Sequence, residues 1–197
     1  MRHGETVWNA ERRFTTRSDV PLSEAGLEQA RRTAHDLSAT AIDRIYASPM
    51  QRAVRTAELV AEQQTDPPAL VADQRLVEID AGPFEGRTPQ EIEASGDAAA
   101  FHAWHTDGEP VFPSGTESFE DALQRAASFL DEHGSEPGTT LVVTHGSLAR
   151  LMVASHLLGG PPPLHRRLWL DNCRLAVIEH RDGIPKLVGF NVSRAWS

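Results

Sequence analysis

The chain has 197 residues, 40% of them hydrophobic and 24% charged, with a formal net charge of −9, which suits one soluble domain with a full-sized core. No apolar run reaches the length of a membrane span and Met1-Arg2-His3 does not open a signal peptide, so no membrane partner and a cytoplasmic location are expected. The acidic balance argues against a nucleic-acid partner, and the single cysteine, Cys173, excludes a disulfide framework and cysteine-rich metal sites.

The chain opens on MRHGET, an Arg-His pair with a glycine hinge at the very terminus. LSEAGLEQARRTAHDL follows with apolar residues at helical spacing and Ser23 as its N-cap. IDRIYAS reads as a short buried strand, and PMQRAVRTAELVAEQ as an amphipathic helix with Pro49 in its first turn. TDPPAL reads as a loop. A polar, Gly- and Pro-rich middle from Asp80 to Gly115 carries short helical pieces. TESFEDALQRAASFLDEH is a strong amphipathic helix, TTLVVT a buried strand, and SLARLMVASHLLG a helix that ends before Pro161–Pro163. CRLAVIEHRDGIPKLVGFNV reads as a hairpin turning at Asp182-Gly183. Strands alternating with helices predict an α/β domain over residues 1–197 with a largely parallel sheet.

The chemistry sits at the strand ends. TTLVVT runs into His145-Gly146 and a helix, and IDRIYAS runs into a helix with Arg52 in its first turn. Ligands of open α/β sheets bind outside the carboxyl ends of the strands, where helix N-termini present free N–H groups. His145 and Arg52 are therefore expected in one crevice. RHGET has the form of THGSL, a histidine followed by a glycine that permits close backbone approach. A strand before Arg2 would bring His3 to the same place. Two histidines and two arginines reverse the sign of an acidic protein locally, so a compact anion is expected, and arginine forks suit phosphate.

Six stretches, RHGETVWN, DVPLSEAG, ASPMQRAVRTAE, LVEIDAGPFEG, PSGTES and VVTHG, together resemble the histidine phosphatase superfamily, also called phosphoglycerate-mutase-like. They follow the family's order over nearly the whole chain. The resemblance implies a three-layer α/β/α sandwich and catalysis through a phosphohistidine with no metal and no other cofactor. It implies His3 as nucleophile, Arg2, Arg52 and His145 as phosphoryl ligands with Asn9 and Thr6 nearby, and Glu78 as proton donor to the leaving alcohol.

Elementary chemistry agrees with these roles. A histidine with a pKa near ~6.5 is largely neutral at pH 7 and keeps one lone pair, provided the other ring nitrogen donates to an acceptor; a carbonyl of the following turn is the expected one. The loose transition state spreads charge over three oxygens, which arginines and a cationic His145 would stabilise. Glu85 and Asp80 lie close enough to Glu78 in sequence to compete for its role. His102 and His105 stand one helical turn apart, but no third ligand accompanies them and surface histidines are expected. Phe101, Trp104 and Phe112 are expected to pack under a loop, and the segment at about 87–117 to form a substrate-selecting lid. Asn191-Val192-Ser193 matches a glycosylation acceptor by chance.

The expected partner is a small phosphorylated substrate; a homodimer is left open. A mutase-type phosphotransfer is one alternative, although such enzymes are longer. A weakly active member that binds phospho-ligands or a partner protein is the other. Three departures from the family pattern bear on the reading: Thr15-Thr16 at the phosphate rim, Thr116 before the Glu of PSGTES, and the absence of an apolar strand ahead of Arg2. That strand would lie in the middle of the sheet, so the sheet's first strand reads as truncated and the natural chain is expected to begin upstream of Met1.

Overall fold

A computed structural model describes residues 1–105, 111 and 113–194. In chain order it contains α1 (Val7–Ala10), α2 (Glu24–Leu37), β1 (Arg44–Ala47), α3 (Gln51–Ala61), β2 (Leu70–Ala72), α4 (Pro89–Glu93), α5 (Ala98–Trp104), α6 (Phe119–His133), β3 (Thr140–Val143), α7 (Gly146–Leu151), β4 (Leu175–Arg181) and β5 (Ile184–Val192). β1 pairs in parallel with β2 on one side and with β3 on the other. β4 and β5 form the expected antiparallel hairpin, with Asp182 and Gly183 both at positive φ as a two-residue turn requires.

Strand alternation sets the layers. Ile45, Ala47, Leu141 and Val143 point to one face, where Ala34 and Leu37 of α2 and Ala53, Ala57 and Val60 of α3 cover them. The alanines let both helices sit close to the sheet. Tyr46 and Val142 point to the other face and meet Phe129 and Leu130 of α6, which packs in turn on α7 through Phe119, Ala122, Leu148 and Leu151. Helices thus cover both faces of a parallel sheet, as the sequence pattern predicts. Burying each large apolar side chain contributes about 1.5–3 kcal/mol.

Local signals place most ends. Ser23 and Ser118 cap α2 and α6 by accepting the N–H of Gly26 and Asp121. Three expectations need correction. Pro49 lies outside α3, one residue before the N-cap Met50. The loop expected at TDPPAL turns into β2 from Leu70, because the free edge of β1 offers partners to a three-residue segment too short to announce itself. The helix after His145 is α7 only to Leu151; Met152–Leu157 continues in wider π turns before Gly159, at φ 67°, ends it.

In the middle segment, α4 and α5 bury Ile92, Phe101 and Trp104 against Ala81 and Phe84, as expected for Phe101 and Trp104. Phe112 lies outside the described residues. His102 and His105 are exposed. No helix among the described residues is long and apolar enough to cross a membrane.

The opening residues occupy a central place. Arg2 bridges in parallel to Thr144; His3 N–H donates to Thr144 O at 2.9 Å and Thr144 N–H to Met1 O at 2.9 Å. On the other side Arg2 N–H donates to Arg174 O and Cys173 N–H to Arg2 O, both at 3.0 Å. Beyond Met1, β3 and β4 belong to separate sheets. A cleft of about 720 Å³ lies there, lined by Met1, Leu37, Ile42, Leu141, Leu175 and Val177 among others.

Candidate active site

The ends of the Met1–His3 segment, β1 and β3 bring His3, Arg52 and His145 together, as their sequence context predicts. The His3 and His145 rings lie 5.0 Å apart at 67°, and all three side chains are buried. Gly4 makes this possible: a Cβ there would stand 2.6 Å from Gly26 O, in the first turn of α2. Gly4 N–H donates to Thr56 Oγ1 and Thr56 donates to Arg52 O, which ties the histidine turn to α3.

His3 Nδ1 lies 2.7 Å from Gly4 O, the expected carbonyl of the following turn. It must carry the hydrogen, which leaves the lone pair on Nε2. Burial, then the charges of Arg2 and Arg52, hold the His3 pKa well below the ordinary histidine value, so the ring is neutral.

Arg52 is anchored by carbonyls: Nη1 donates to Ser18 O at 2.8 Å and Nη2 to Thr16 O at 2.9 Å. Its Nε donates to His145 Nδ1 at 3.3 Å. His145 Nε2 therefore carries the hydrogen and donates to Ser48 Oγ at 2.7 Å. This corrects the expected cation at His145. Burial, followed by repulsion from His3 and Arg52, drives its pKa well below the usual value, and the Arg52 hydrogen bond needs a neutral acceptor.

Arg2 donates to Leu170 O at 2.8 Å, while its Nε is buried without a partner among the described residues. A buried, unpaired guanidinium N–H suits an anionic ligand. Gly146 leaves it room, since a Cβ there would stand 3.2 Å from Arg2 Nε.

Glu78 is buried, and its carboxylate accepts three backbone N–H groups: Ile79 and Leu148 on Oε1 at 2.9 Å each, Ser147 on Oε2 at 3.0 Å. The first turn of α7, expected to offer free N–H groups to a ligand, offers two of them to Glu78 instead. The competing carboxylates have other work. Glu85 accepts the N–H groups of Thr16 and Ser18 and the Thr16 hydroxyl, fixing the loop whose carbonyls hold Arg52. Asp80 pairs with Arg17 at 3.3 Å and caps Gly82. Thr16, one of the departures from the family pattern, is thus part of the Arg52 anchor.

Thr6 and Asn9 form a capping box on α1: Thr6 Oγ1 accepts Asn9 N–H at 3.1 Å and Asn9 Oδ1 accepts Thr6 N–H at 3.2 Å. Thr6 is buried and positions Asn9. Sequence reasoning missed Ser48, Arg150, which donates to Gly146 O and Leu168 O, and the anchoring role of Glu85. Ser48 alone left a signal, a serine at the carboxyl end of a strand that neighbours the His145 strand. No group of three or more His, Cys, Asp or Glu residues among the described residues could hold a metal ion.

The family model of the histidine phosphatase superfamily (branch 1) matches residues 1–193. A relative from Erwinia tasmaniensis, named "Probable phosphoglycerate mutase GpmB", is 34% identical over 185 residues, covering 92% of this chain and 83% of its own. Among solved structures, Bacillus stearothermophilus YhfR has a TM-score of 0.83 at 34% identity, covering 96% of this chain and 94% of its own. The alpha-ribazole phosphatase from Shigella flexneri has a TM-score of 0.87 at 26% identity, covering 100% and 96%.

Proposed function

The chain belongs to the histidine phosphatase superfamily, and from that premise we propose that it hydrolyses small phosphomonoesters through a phosphohistidine on His3. The observation that carries the reading is the His3 ring, fixed through Nδ1 by Gly4 O with Nε2 as its lone pair, 5.0 Å from the His145 ring that Arg52 holds. Nε2 attacks phosphorus, the P–O bond to the alcohol breaks as the N–P bond forms, and the leaving oxygen takes the proton that Glu78 carries when it enters the step in its carboxylic-acid form. Water then attacks the phosphohistidine, the P–N bond breaks with its electron pair returning to His3 Nε2, the water's proton restores the acid form of Glu78, and inorganic phosphate leaves. Arg2, through its unpaired Nε, and Arg52, held by two carbonyls, stabilise the charge on the equatorial oxygens. Asn9 donates from its amide. The anion draws the Arg52 Nε hydrogen away from His145 Nδ1, and that freed nitrogen takes up a proton because the anion's charge offsets the burial that keeps the ring neutral. No step calls for a metal, and EDTA is expected to leave turnover unchanged.

Purified protein should release phosphate from p-nitrophenyl phosphate and form an acid-labile, base-stable phosphoenzyme, and His3→Ala should lose both while keeping its fold. A phosphoenzyme that survives in His3→Ala would move the nucleophile elsewhere. Glu78→Gln should cut turnover of alkyl phosphates by about 10²-fold and of p-nitrophenyl phosphate much less, since nitrophenolate needs little protonation. Equal losses would reassign Glu78 to binding. The name of the Erwinia relative favours one second reading, phosphoglycerate mutase-type transfer. Conversion of 3-phosphoglycerate to 2-phosphoglycerate outpacing phosphate release would select it.

A further inference from the structure

We infer that Asn172, which no role described so far uses, is a positioning residue that aims both the nucleophilic histidine and the Asn9 amide at the transferred phosphoryl group. The inference rests on the functional reading above and deepens it.

Asp171–Arg174 is a tight turn, closed by Arg174 N–H donating to Asp171 O at 3.2 Å. Cys173 stands in it at φ 57°, a left-handed conformation that a side chain adopts only where surrounding contacts impose it. Those contacts are with the nucleophile segment: Cys173 N–H reaches both Arg2 O and His3 O, at 3.0 and 3.3 Å. The turn thereby lays the Asn172 amide over the histidine backbone.

Its Nδ2 donates to His3 O at 3.0 Å and to Asn9 Oδ1 at 3.4 Å. The direction of both bonds is forced. His3 O can only accept, so the Asn172 nitrogen faces it. Asn9 Oδ1 already accepts Thr6 N–H, which can only donate. With its oxygen facing two donors, Asn9 is left with its Nδ2 hydrogens, which have no partner among the described residues. A side-chain NH₂ in that position can donate to a phosphoryl oxygen and cannot accept. One amide thus sets the height of the nucleophile's carbonyl and the flip of the phosphate-binding amide.

This makes a prediction that packing alone does not. Asp has nearly the shape of Asn, so a purely structural role predicts that Asn172→Asp is tolerated better than Asn172→Ala. A positioning role predicts the reverse, because a carboxylate would face two acceptor oxygens and either repel them or turn the Asn9 amide over. Orthovanadate, which takes the geometry of the transferring phosphoryl group, serves as the probe by displacement titration, alongside kcat and KM for p-nitrophenyl phosphate. Asn172→Ala is expected to weaken vanadate binding and lower kcat by about 10-fold, the scale of one lost hydrogen bond to a charged ligand's ligating group. Asn172→Asp is expected to lose about 10-fold more, with KM changed less than kcat in both. Asn9→Ala should remove most of the effect of Asn172→Ala on vanadate when the two are combined.

Melting curves identify any variant that does not fold; the Asn172→Ser variant, smaller and neutral, then replaces it and should fall between wild type and Asn172→Asp. An order in which Asp matches Asn, or fully additive losses with Asn9→Ala, would overturn the positioning role while leaving the hydrolase reading intact. A wild type that neither releases phosphate nor binds vanadate would overturn both.

Discussion

Two regions adjoin the first three residues, the polar site at the His3 end and a cleft at the Met1 end, and they are built in opposite ways. The site at His3 is made of buried polar groups, each held by a named partner: Arg52 by the carbonyls of Thr16 and Ser18, His145 by Arg52 and Ser48, Glu78 by three N–H groups. The cleft at Met1 occupies about 720 Å³ and is lined largely by apolar side chains and strand backbone. The Met1 amine on its wall donates to Val142 O at 2.7 Å and is pushed down to about 5 by burial. The comparison separates size from chemistry. Catalysis needs donors fixed in place before the charge develops, and carbonyls converging from distant loops supply that; volume does not.

The contrast breaks most visibly at Arg52. Arg52→Ala should lower kcat/KM by about 10²–10³-fold, the cost of removing one preorganised donor to a transition-state oxyanion. Steady-state kinetics on p-nitrophenyl phosphate would measure it, and normal turnover would mean that the buried arginine serves only the fold.

The cleft should respond in the other currency. Leu175→Ala removes a buried side chain from the cleft wall and should cost about 2 kcal/mol of stability, the low end for such a change because one side is already open. Chemical denaturation would read the loss, while kcat/KM per folded molecule stays within about twofold, the scatter of surface changes. A large kinetic effect would show that the cleft and the site are coupled through Met1–His3.

The smallest effect is in the pH dependence, and its sign follows from burial. His165 titrates near 6.5 when unfolded and is pushed down to about 4 in the fold, chiefly by burial; His3 and His145 move in the same direction. The unfolded chain therefore binds more protons between these values. Stability from this source is fully present above about pH 6.5 and is lost as the pH falls toward 4. Melting temperatures should decline over that window. Sulfate, whose charge does not change there, should bind more tightly as the pH falls, by less than tenfold per pH unit, as His145 takes up its proton. A binding constant indifferent to pH in the wild type, and equal to that of His145→Gln, would remove His145 from the anion site.

Much of the molecule was legible in the order of its residues. α2, α3 and α6 declare themselves by apolar spacing and serine caps, β1 and β3 by short apolar runs, and the hairpin by Asp182-Gly183, because each signal is carried within one turn or one strand. His3, Arg52 and His145 were legible as neighbours, since each follows a strand or stands in the first turn of the helix after it, and parallel strands bring such ends to one edge. What the sequence could not decide is which partner each polar atom takes. Ser48 meets His145 across 97 residues, Glu78 meets Leu148 across 70, and Asn172 meets His3 across 169. The neutral state of His145, against the cation its setting among arginines suggests, follows from burial that exists only once the helices have closed over the sheet. Local propensity acts through neighbours along the chain; tautomers, amide flips and desolvation act through neighbours in space, and only the tertiary structure supplies those.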